Sequence, residues 1–209
     1  MYVHAIDNKV SFHCKGGMLA ALWLPLALVA SVQASSVLLL PCTHDENGPM
    51  TRTQFTDWPK YFVFERPLKH GDYILFSFVF RVDRPADTSI DFRMYDKTVP
   101  LEDNLITLHL RFNALEKRLI VNAHETPGVW QNQEQSIAYR DWWLPGRTVK
   151  VEVRYHSDMF EIYERTVEGY LLITNFRNLH KKTELLTGTG RLLQIYEFQL
   201  ICYGDDIKF

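Results

Sequence analysis

The sequence predicts an all-β fold, an antiparallel two-sheet β-sandwich. From residue 35 onward, apolar and polar residues alternate with a period of two, which is typical of half-buried strands, while helical periodicity is scarce. Turn-forming Gly, Pro and Asp residues separate the alternating segments. No interval between them is long enough for the helical crossover that parallel strands need, so about ten to twelve short strands are expected.

The segment RTVKVEVRY at 147–155 shows the alternation most clearly. Its odd-numbered residues from Val149 to Tyr155 are apolar, and its even-numbered residues from Thr148 to Arg154 are polar. The same pattern recurs in SIDFRMY (89–95), LITLHLRF (105–112) and MFEIYE (159–164). Longer apolar runs suit strands that a sandwich buries more completely: YILFSFVFRV (73–82), GYLLITNF (169–176) and RLLQIYEFQLICY (191–203).

Residues 1–34 have the layout of a secretory signal peptide. Two lysines precede the apolar run MLAALWLPLALVA at 18–30, and the small residues Val32 and Ala34 fit cleavage after residue 34. A helix needs about 20 apolar residues to cross a bilayer, so this shorter run is not expected to span a membrane. We therefore expect a secreted, extracellular protein.

Two questions about the amino-terminal region stay open in the sequence. Translation can start at Met1 or at Met18, which directly precedes the apolar run. After the signal peptide, residues 35–58 are expected to form an N-terminal strand and a connecting segment, and residues 59–209 the main domain.

Cleavage of the signal peptide would remove Cys14 and leave Cys42 and Cys202 near opposite ends of the chain. An even number of cysteines in an oxidising compartment favours a disulfide. Such a bond would close a loop of about 160 residues and contribute roughly 4 to 5 kcal/mol in the chain-entropy model. It requires that the first and last strands be neighbours, and two unpaired buried thiols are the alternative.

Composition and spacing argue against several classes of partner. The formal net charge is −2 and the basic residues are scattered singly, so no positive patch for nucleic acid is expected. The histidines are dispersed, and HDENG at 44–48 lacks the ligand spacing of a calcium loop, so no metal site is expected. The sequence also lacks a glycine-rich phosphate-binding loop, and no cofactor is expected.

Catalytic residues are not expected either. A glycosidase usually needs two carboxylates across one cleft. Glu161 and Glu164 are three residues apart on a predicted strand, so their side chains should point to opposite faces of the sheet. A hydrolase would therefore require carboxylates from different strands to converge.

Residues 109–135 carry the side chains that a sugar-binding face needs. Along LITLHLRF the apolar residues face one way and the polar residues the other, and RLIVN then follows as a neighbouring strand. Sugars are bound by an aromatic plane against the pyranose ring with donors and acceptors around it. The candidate carbohydrate-binding residues are His109, Arg111, Asn113, Asn122, Trp130, Gln133, Glu134 and Gln135.

In this region the sequence resembles the galectins, a family of β-galactoside-binding lectins. Their motif reads His-x-Asn-x-Arg on one strand, Val-x-Asn on the next, and then Trp-x-x-Glu-x-Arg. His109 matches the family histidine, Asn122 the second-strand asparagine and Trp130 the stacking tryptophan. The resemblance covers about residues 59 to 200, and PGRTVKVEVRYHSDMFEIY is its most specific piece outside the motif.

The resemblance implies a jelly-roll-like sandwich and calcium-independent binding of a glycan or glycoprotein that carries a β-galactoside. It also implies that the two chain ends lie on adjacent strands, which is the geometry that a Cys42–Cys202 bond needs. We therefore expect a lectin without catalytic activity.

The motif departs from the family where its charged residues should lie. Read without gaps, Arg111 and Asn113 carry the family's Asn and Arg in exchanged order; read with a two-residue deletion, Arg111 takes the arginine position and the asparagine is missing. Gln133 and Gln135 stand in place of Glu and Arg. Glu134 is one position away, where strand alternation would turn it to the opposite face unless a bulge intervenes. Charge-assisted hydrogen bonds are about twice as strong as neutral ones, so a specificity different from plain lactose is expected.

Three alternatives remain open. In the first alternative, Trp130 turns inward and caps the edge of the core instead of binding a sugar. In the second, His109 is an ordinary surface histidine without a binding role. A galectin-like module without sugar binding would instead serve protein–protein interaction, and an edge strand can pair two copies into a homodimer. Of the adjacent Trp142 and Trp143, one should face the core and the other a polar partner.

Overall fold

The computed structural model describes residues 37–48, 50–56, 59–81 and 86–203, with the backbone but not the side chain of Tyr196. The predicted signal peptide lies outside the described residues. Among the helices of the described segments, none is long and apolar enough to cross a membrane.

The described residues form fifteen strands and one short 3₁₀ helix, at Leu101–Asp103. The strands are β1 (Val37–Leu40), β2 (Cys42–Thr43), β3 (Lys60–Phe64), β4 (Tyr73–Phe80), β5 (Thr88–Arg93), β6 (Ile106–Asn113), β7 (Arg118–Asn122), β8 (His124–Thr126), β9 (Val129–Trp130), β10 (Gln135–Ala138), β11 (Thr148–Tyr155), β12 (Met159–Thr166), β13 (Gly169–Arg177), β14 (Leu185–Gly190) and β15 (Leu193–Ile201).

Two large sheets face each other. The seven-stranded sheet has the order β1-β3-β14-β5-β6-β7-β10, and the six-stranded sheet has the order β13-β12-β11-β4-β15-β2. Strands β8 and β9 form a separate hairpin. All pairings between these strands are antiparallel except β1 with β3 and β2 with β15. The predicted antiparallel two-sheet sandwich is confirmed, and the two parallel pairings come from the N-terminal segment, which places one short strand on each sheet.

The core lies between the sheets and is rich in phenylalanine. In β11 the side chains from Val149 to Tyr155 that were predicted to face one way are all buried. Burying one such apolar side chain contributes roughly 1.5 to 3 kcal/mol. Trp143 closes one end of the core against Phe80 and Phe112, with ring centroids 5.9 and 6.3 Å away. The adjacent Trp142 is 49% exposed, so the expected division between the two tryptophans is confirmed.

The outward face of β11 is less solvated than its polar sequence suggests. Glu152 is only 1% exposed although it lies on this face. Its Oε1 accepts from Arg154 Nε at 2.5 Å, and its Oε2 lies 3.2 Å from Arg165 Nε on β12. The two guanidinium groups bury the carboxylate and compensate its charge, which explains how a glutamate is tolerated there.

A disulfide joins the two ends of the domain. Cys42 lies in β2 and pairs in register with Leu200, and Cys202 follows the end of β15 directly. The two sulfur atoms are bonded and the Cα atoms are 5.5 Å apart. The expected Cys42–Cys202 bond is confirmed, and the alternative of two unpaired thiols is wrong.

Candidate functional site

The centre of the site lies on the outward faces of β6 and β7. His109 on β6 is in register with Asn122 on β7. Leu108 and Leu110 on either side of His109 are buried in the core, so strand alternation turns the histidine outward. The antiparallel register then holds the imidazole and the amide side by side on one face of the sheet.

Trp130 lies beside this pair. It ends the β8–β9 hairpin, whose turn contains Gly128 at φ +76°, a conformation that glycine adopts without a steric penalty. The indole centroid lies 5.0 Å from the ring of His109 and 4.5 Å from the ring of His124. Trp130 is 43% exposed and does not enter the core, so the alternative of a core-capping tryptophan is wrong.

His109 is held in place by a buried ion pair on β5. Its Nδ1 lies 2.6 Å from Asp91 Oδ1, and Arg93 Nη2 donates to the other carboxylate oxygen at 2.8 Å. Burial raises the pKa of Asp91, but the hydrogen bond and charge of His109 together with Arg93 outweigh it and hold that pKa below its usual value.

The ion pair also determines what His109 offers to a ligand. Because an ionised carboxylate only accepts hydrogen bonds, the proton of a neutral His109 is on Nδ1. Its Nε2 is then an acceptor. In its neutral form, His109 therefore offers a ligand an acceptor and not a donor.

Glu134 reaches the same pocket. Asn122 Nδ2 donates to Glu134 Oε2 at 3.3 Å, while Asn122 Oδ1 accepts from the backbone of Ala123. The expectation that Glu134 points away from the site is wrong, because strand β10 begins only at Gln135 and residues 131–134 do not follow strand alternation. A carboxylate therefore remains at this pocket despite the altered motif.

Three residues that the sequence argument missed complete the pocket: Ile120, Gln131 and Asn132. Gln131 is buried, and its Nε2 has no hydrogen-bond partner among the described residues. This amide is a donor that a ligand hydroxyl would satisfy. Together the lining side chains enclose a pocket of about 470 Å³: His109, Arg111, Ile120, Asn122, Trp130, Gln131, Asn132 and Glu134.

Comparison with known proteins identifies the architecture. Neither the protein-family models nor the curated proteins contain a match to the sequence. Solved structures do match. Caenorhabditis elegans galectin LEC-6 has a TM-score of 0.55 at 14% identity, with 71% of this chain and 94% of that chain covered. Chicken galectin 2 has a TM-score of 0.51 at 19% identity, with 69% and 98% covered.

A third structure, CG-16, a homodimeric agglutinin from chicken liver, has a TM-score of 0.50 at 13% identity, with 68% and 99% covered. The domain has the galectin fold. The sequence resemblance predicted this galectin-like architecture, and the structural comparison confirms it.

Three of the predicted residues lie outside the pocket of this galectin-like domain. Asn113 is buried at the end of β6, where its Oδ1 accepts from the backbone of Glu116 and closes the turn. Gln135 bonds to the other sheet, through Nε2 to the carbonyl of Asn175. Gln133 is exposed and does not line the pocket. Contacts from Gln133 and Gln135 to a ligand in this pocket therefore do not fit the geometry.

Arg111 lies at the rim of the galectin-like pocket. Its Nε is 3.6 Å from Asp87 Oδ2, and 44% of its side chain is exposed. This separation is too long for a hydrogen bond, and the Nε atom is buried without a hydrogen-bond partner in the described chain. The guanidinium therefore keeps an ion-pair contact with Asp87, and the exposed part of the side chain lines the pocket.

One feature of the sequence could have identified Asp91 and Arg93, the two residues that hold His109 in place. Asp91 and Arg93 both lie on the polar face of the predicted strand SIDFRMY, and β5 pairs with β6. Two opposite charges at alternate positions of one strand face the same way. The sequence does not show which strand lies next to them.

Proposed function

We propose that this protein is a secreted galectin-like lectin that binds a glycan, without catalysis, on the outward face of the seven-stranded sheet. The observation that carries the proposal is the convergence of His109, Asn122, Trp130 and Glu134 on one pocket. The ligand class is a glycan or glycoprotein that presents a β-galactoside, as the galectin fold suggests.

Trp130 would supply the stacking surface. Its indole stands against the rings of His109 and His124 and leaves 43% of the residue exposed. A sugar ring stacked there would place its hydroxyl groups near the polar lining. Glu134 and the Nε2 of His109 would accept from them, and Arg111 and Gln131 would donate.

The charge arrangement supports a specificity that differs from plain lactose. Glu134 bonds to the neutral amide of Asn122, whereas the family motif places an arginine two positions beyond its glutamate. Arg111 approaches Asp87 instead. A carboxylate without a guanidinium partner is more easily drawn to a ligand hydroxyl, so hydroxyl orientation around the sugar ring would decide which glycan binds.

Binding without catalysis is supported by the placement of the carboxylates. Among the described residues that line the pocket, Glu134 alone carries one, whereas glycosidic cleavage usually needs two. Glu161 and Glu164 on β12 do face opposite ways: Glu161 bonds His156 and Tyr163, and Glu164 bonds Trp142.

Secretion is supported by the layout of residues 1–34 and by the Cys42–Cys202 disulfide. Disulfides form and persist in oxidising compartments and are rare in the cytosol.

The proposal is tested by titrating the mature protein with lactose and with a panel of immobilised β-galactosides. Trp130→Ala should weaken binding by at least tenfold, because one stacked ring contributes about 1.5 kcal/mol or more. Leu115→Ala is the control, since Leu115 is an exposed apolar residue that lines neither this pocket nor the other cleft of the described surface.

If Trp130→Ala binds the glycans with unchanged affinity, the sugar site does not lie in this pocket. If the unaltered protein binds none of the glycans, the lectin proposal fails, and a galectin-like module for protein–protein interaction takes its place.

A further inference from the structure

A second cleft opens where two strands of the six-stranded sheet separate. The ladder between β11 and β12 ends with the pair Val151–Glu164. β11 begins three residues earlier, at Thr148, where it is paired with β4, and β12 runs on to Thr166, where it is paired with β13. A cleft of about 1020 Å³ lies between the start of β11 and the β12–β13 hairpin.

Aromatic and apolar surface lines this cleft. Trp142 is 49% exposed, and its Nε1 donates to Glu164 Oε1 at 2.7 Å. The one polar atom of the indole is thus already bonded, and the ring surface that remains is apolar. Tyr170 and Leu171 are half-exposed on the hairpin side. This combination suits a ligand with an apolar face of ring size.

Glu164 places an unsatisfied acceptor in the cleft. The residue is only 4% exposed, and its Oε2 has no hydrogen-bond partner in the described part of the chain. A buried carboxylate oxygen without a donor costs free energy, and an ionised carboxylate can only accept. A ligand that fits must therefore present a donor, such as a hydroxyl group, next to the indole.

The β11 side of the cleft is cationic. Arg147 and Lys150 are exposed there, and neither side chain has a hydrogen bond or ion pair with the described residues. Arg165 differs, because Glu46 and Glu152 already hold it. Arginine and lysine only donate, so an anionic group on the ligand would complement this side of the cleft.

We propose that this cleft is a second binding site, for an acidic saccharide. A sugar that carries a carboxylate or a sulfate combines the three required features: an apolar ring face for Trp142, hydroxyl donors for Glu164 and an anion for Arg147 and Lys150. An acidic peptide supplies the anion and backbone N–H donors, but an Asp/Glu-rich chain has no apolar ring face to place against Trp142. The saccharide therefore fits better.

The test uses ligands without galactose, so that the first site is not engaged. A glucuronic-acid disaccharide and a sulfated glucose disaccharide are titrated into the mature protein, against the uncharged glucose disaccharide and sodium sulfate. The indole N–H signal of Trp142 in ¹H–¹⁵N spectra should shift with the acidic disaccharides and much less with the other two. Affinity should fall with added salt because part of the attraction is ionic.

Charge reversal identifies the cationic side. Arg147→Glu/Lys150→Glu should weaken binding of the acidic disaccharides at least tenfold, because two charge-assisted contacts are lost. Lys97→Glu/Lys117→Glu is the matched control, since it changes the net charge equally at exposed turns that line neither cleft. Glu164→Gln keeps the side-chain shape and should weaken binding by placing a donor where the ligand donates.

Several results would overturn the proposal. They are an unshifted Trp142 signal with both acidic disaccharides, an equal shift with sodium sulfate alone, tighter binding of an Asp/Glu-rich peptide, or unchanged affinity in the charge-reversed variant. Trp130→Ala should leave the affinity for the acidic disaccharides unchanged. A loss of that affinity in Trp130→Ala would place them in the first site and also overturn the proposal.

Discussion

At the scale of single residues, the proposed sugar face depends on side chains that do not line its pocket. Asp91 and Arg93 hold the imidazole of His109, and His124 supports the opposite side of Trp130. His124 Nδ1 accepts from the backbone of Ile106, which requires that this nitrogen carry no proton. The ring is therefore neutral in the folded protein.

This neutrality predicts a pH dependence of stability. Burial, and then the charge of Arg93, lowers the pKa of His124 from 6.5. The unfolded chain then binds a proton more readily, so the stabilisation is complete above about pH 6.5 and is lost as the pH falls through the folded pKa. Urea unfolding at pH 7.5 and 5.5 should show a loss of stability that is smaller in His124→Asn.

The exposed His44 provides the control for this pH series. His44→Asn should keep the pH dependence of the unaltered protein. If ¹H NMR titration gives His124 a pKa at or above 6.5, the explanation fails.

At the scale of elements, β11 combines a buried apolar face with a carboxylate buried on the opposite face. Glu152 is surrounded by Arg154 on its own strand and Arg165 on β12. The same arginines stack on Tyr170, with guanidinium carbons 4.9 and 5.1 Å from its ring centroid. The outward face of this sheet is thus an ion-pair and aromatic layer rather than a simple solvated surface.

Removal of the central carboxylate should therefore be costly. Glu152→Ala leaves two partly buried guanidinium groups without their shared partner, and we expect a loss of about 3 kcal/mol in the free energy of unfolding. Lys150→Ala, two residues earlier on the same face but exposed, should change it by no more than about 0.5 kcal/mol. Denaturant unfolding measures the free energy of unfolding of both variants. Equal losses in the two variants would show that the ion pairs of Glu152 do not stabilise the fold.

At the scale of the whole molecule, a disulfide and a strand pairing hold the two ends of the domain together. The Cys42–Cys202 bond spans a sequence separation of 160 residues and ties β2 to the end of β15. A cross-link over so long a loop removes much of the conformational freedom of the unfolded chain.

Loss of the bond should lower stability without changing the fold. We expect Cys42→Ala/Cys202→Ala to cost roughly 2 to 5 kcal/mol in the free energy of unfolding. Dithiothreitol should destabilise the unaltered protein to a similar extent and leave the double variant unaffected. Intact masses before and after reduction should differ by two hydrogens. Equal stability of the oxidised and reduced forms would contradict this entropic contribution.

The sequence by itself determined the features that depend on local periodicity. Alternation in LITLHLRF turns His109 outward whatever the neighbouring strand is, and the same pattern in RTVKVEVRY identifies the buried face of β11. The turn residues after β7 mark where the chain reverses before Trp130. These are short-range consequences of backbone geometry, so they can be predicted from the residues alone.

Only the tertiary structure decided which side chains meet. Glu134 enters the pocket because the chain leaves strand geometry before β10, and Gln135 is drawn away to Asn175 on the other sheet. Asp91 supports His109 because β5 pairs with β6, and the second cleft exists because β11 and β12 separate beyond Glu164. Strand order, register and the end of a ladder arise from contacts between distant segments, and local periodicity carries no information about them.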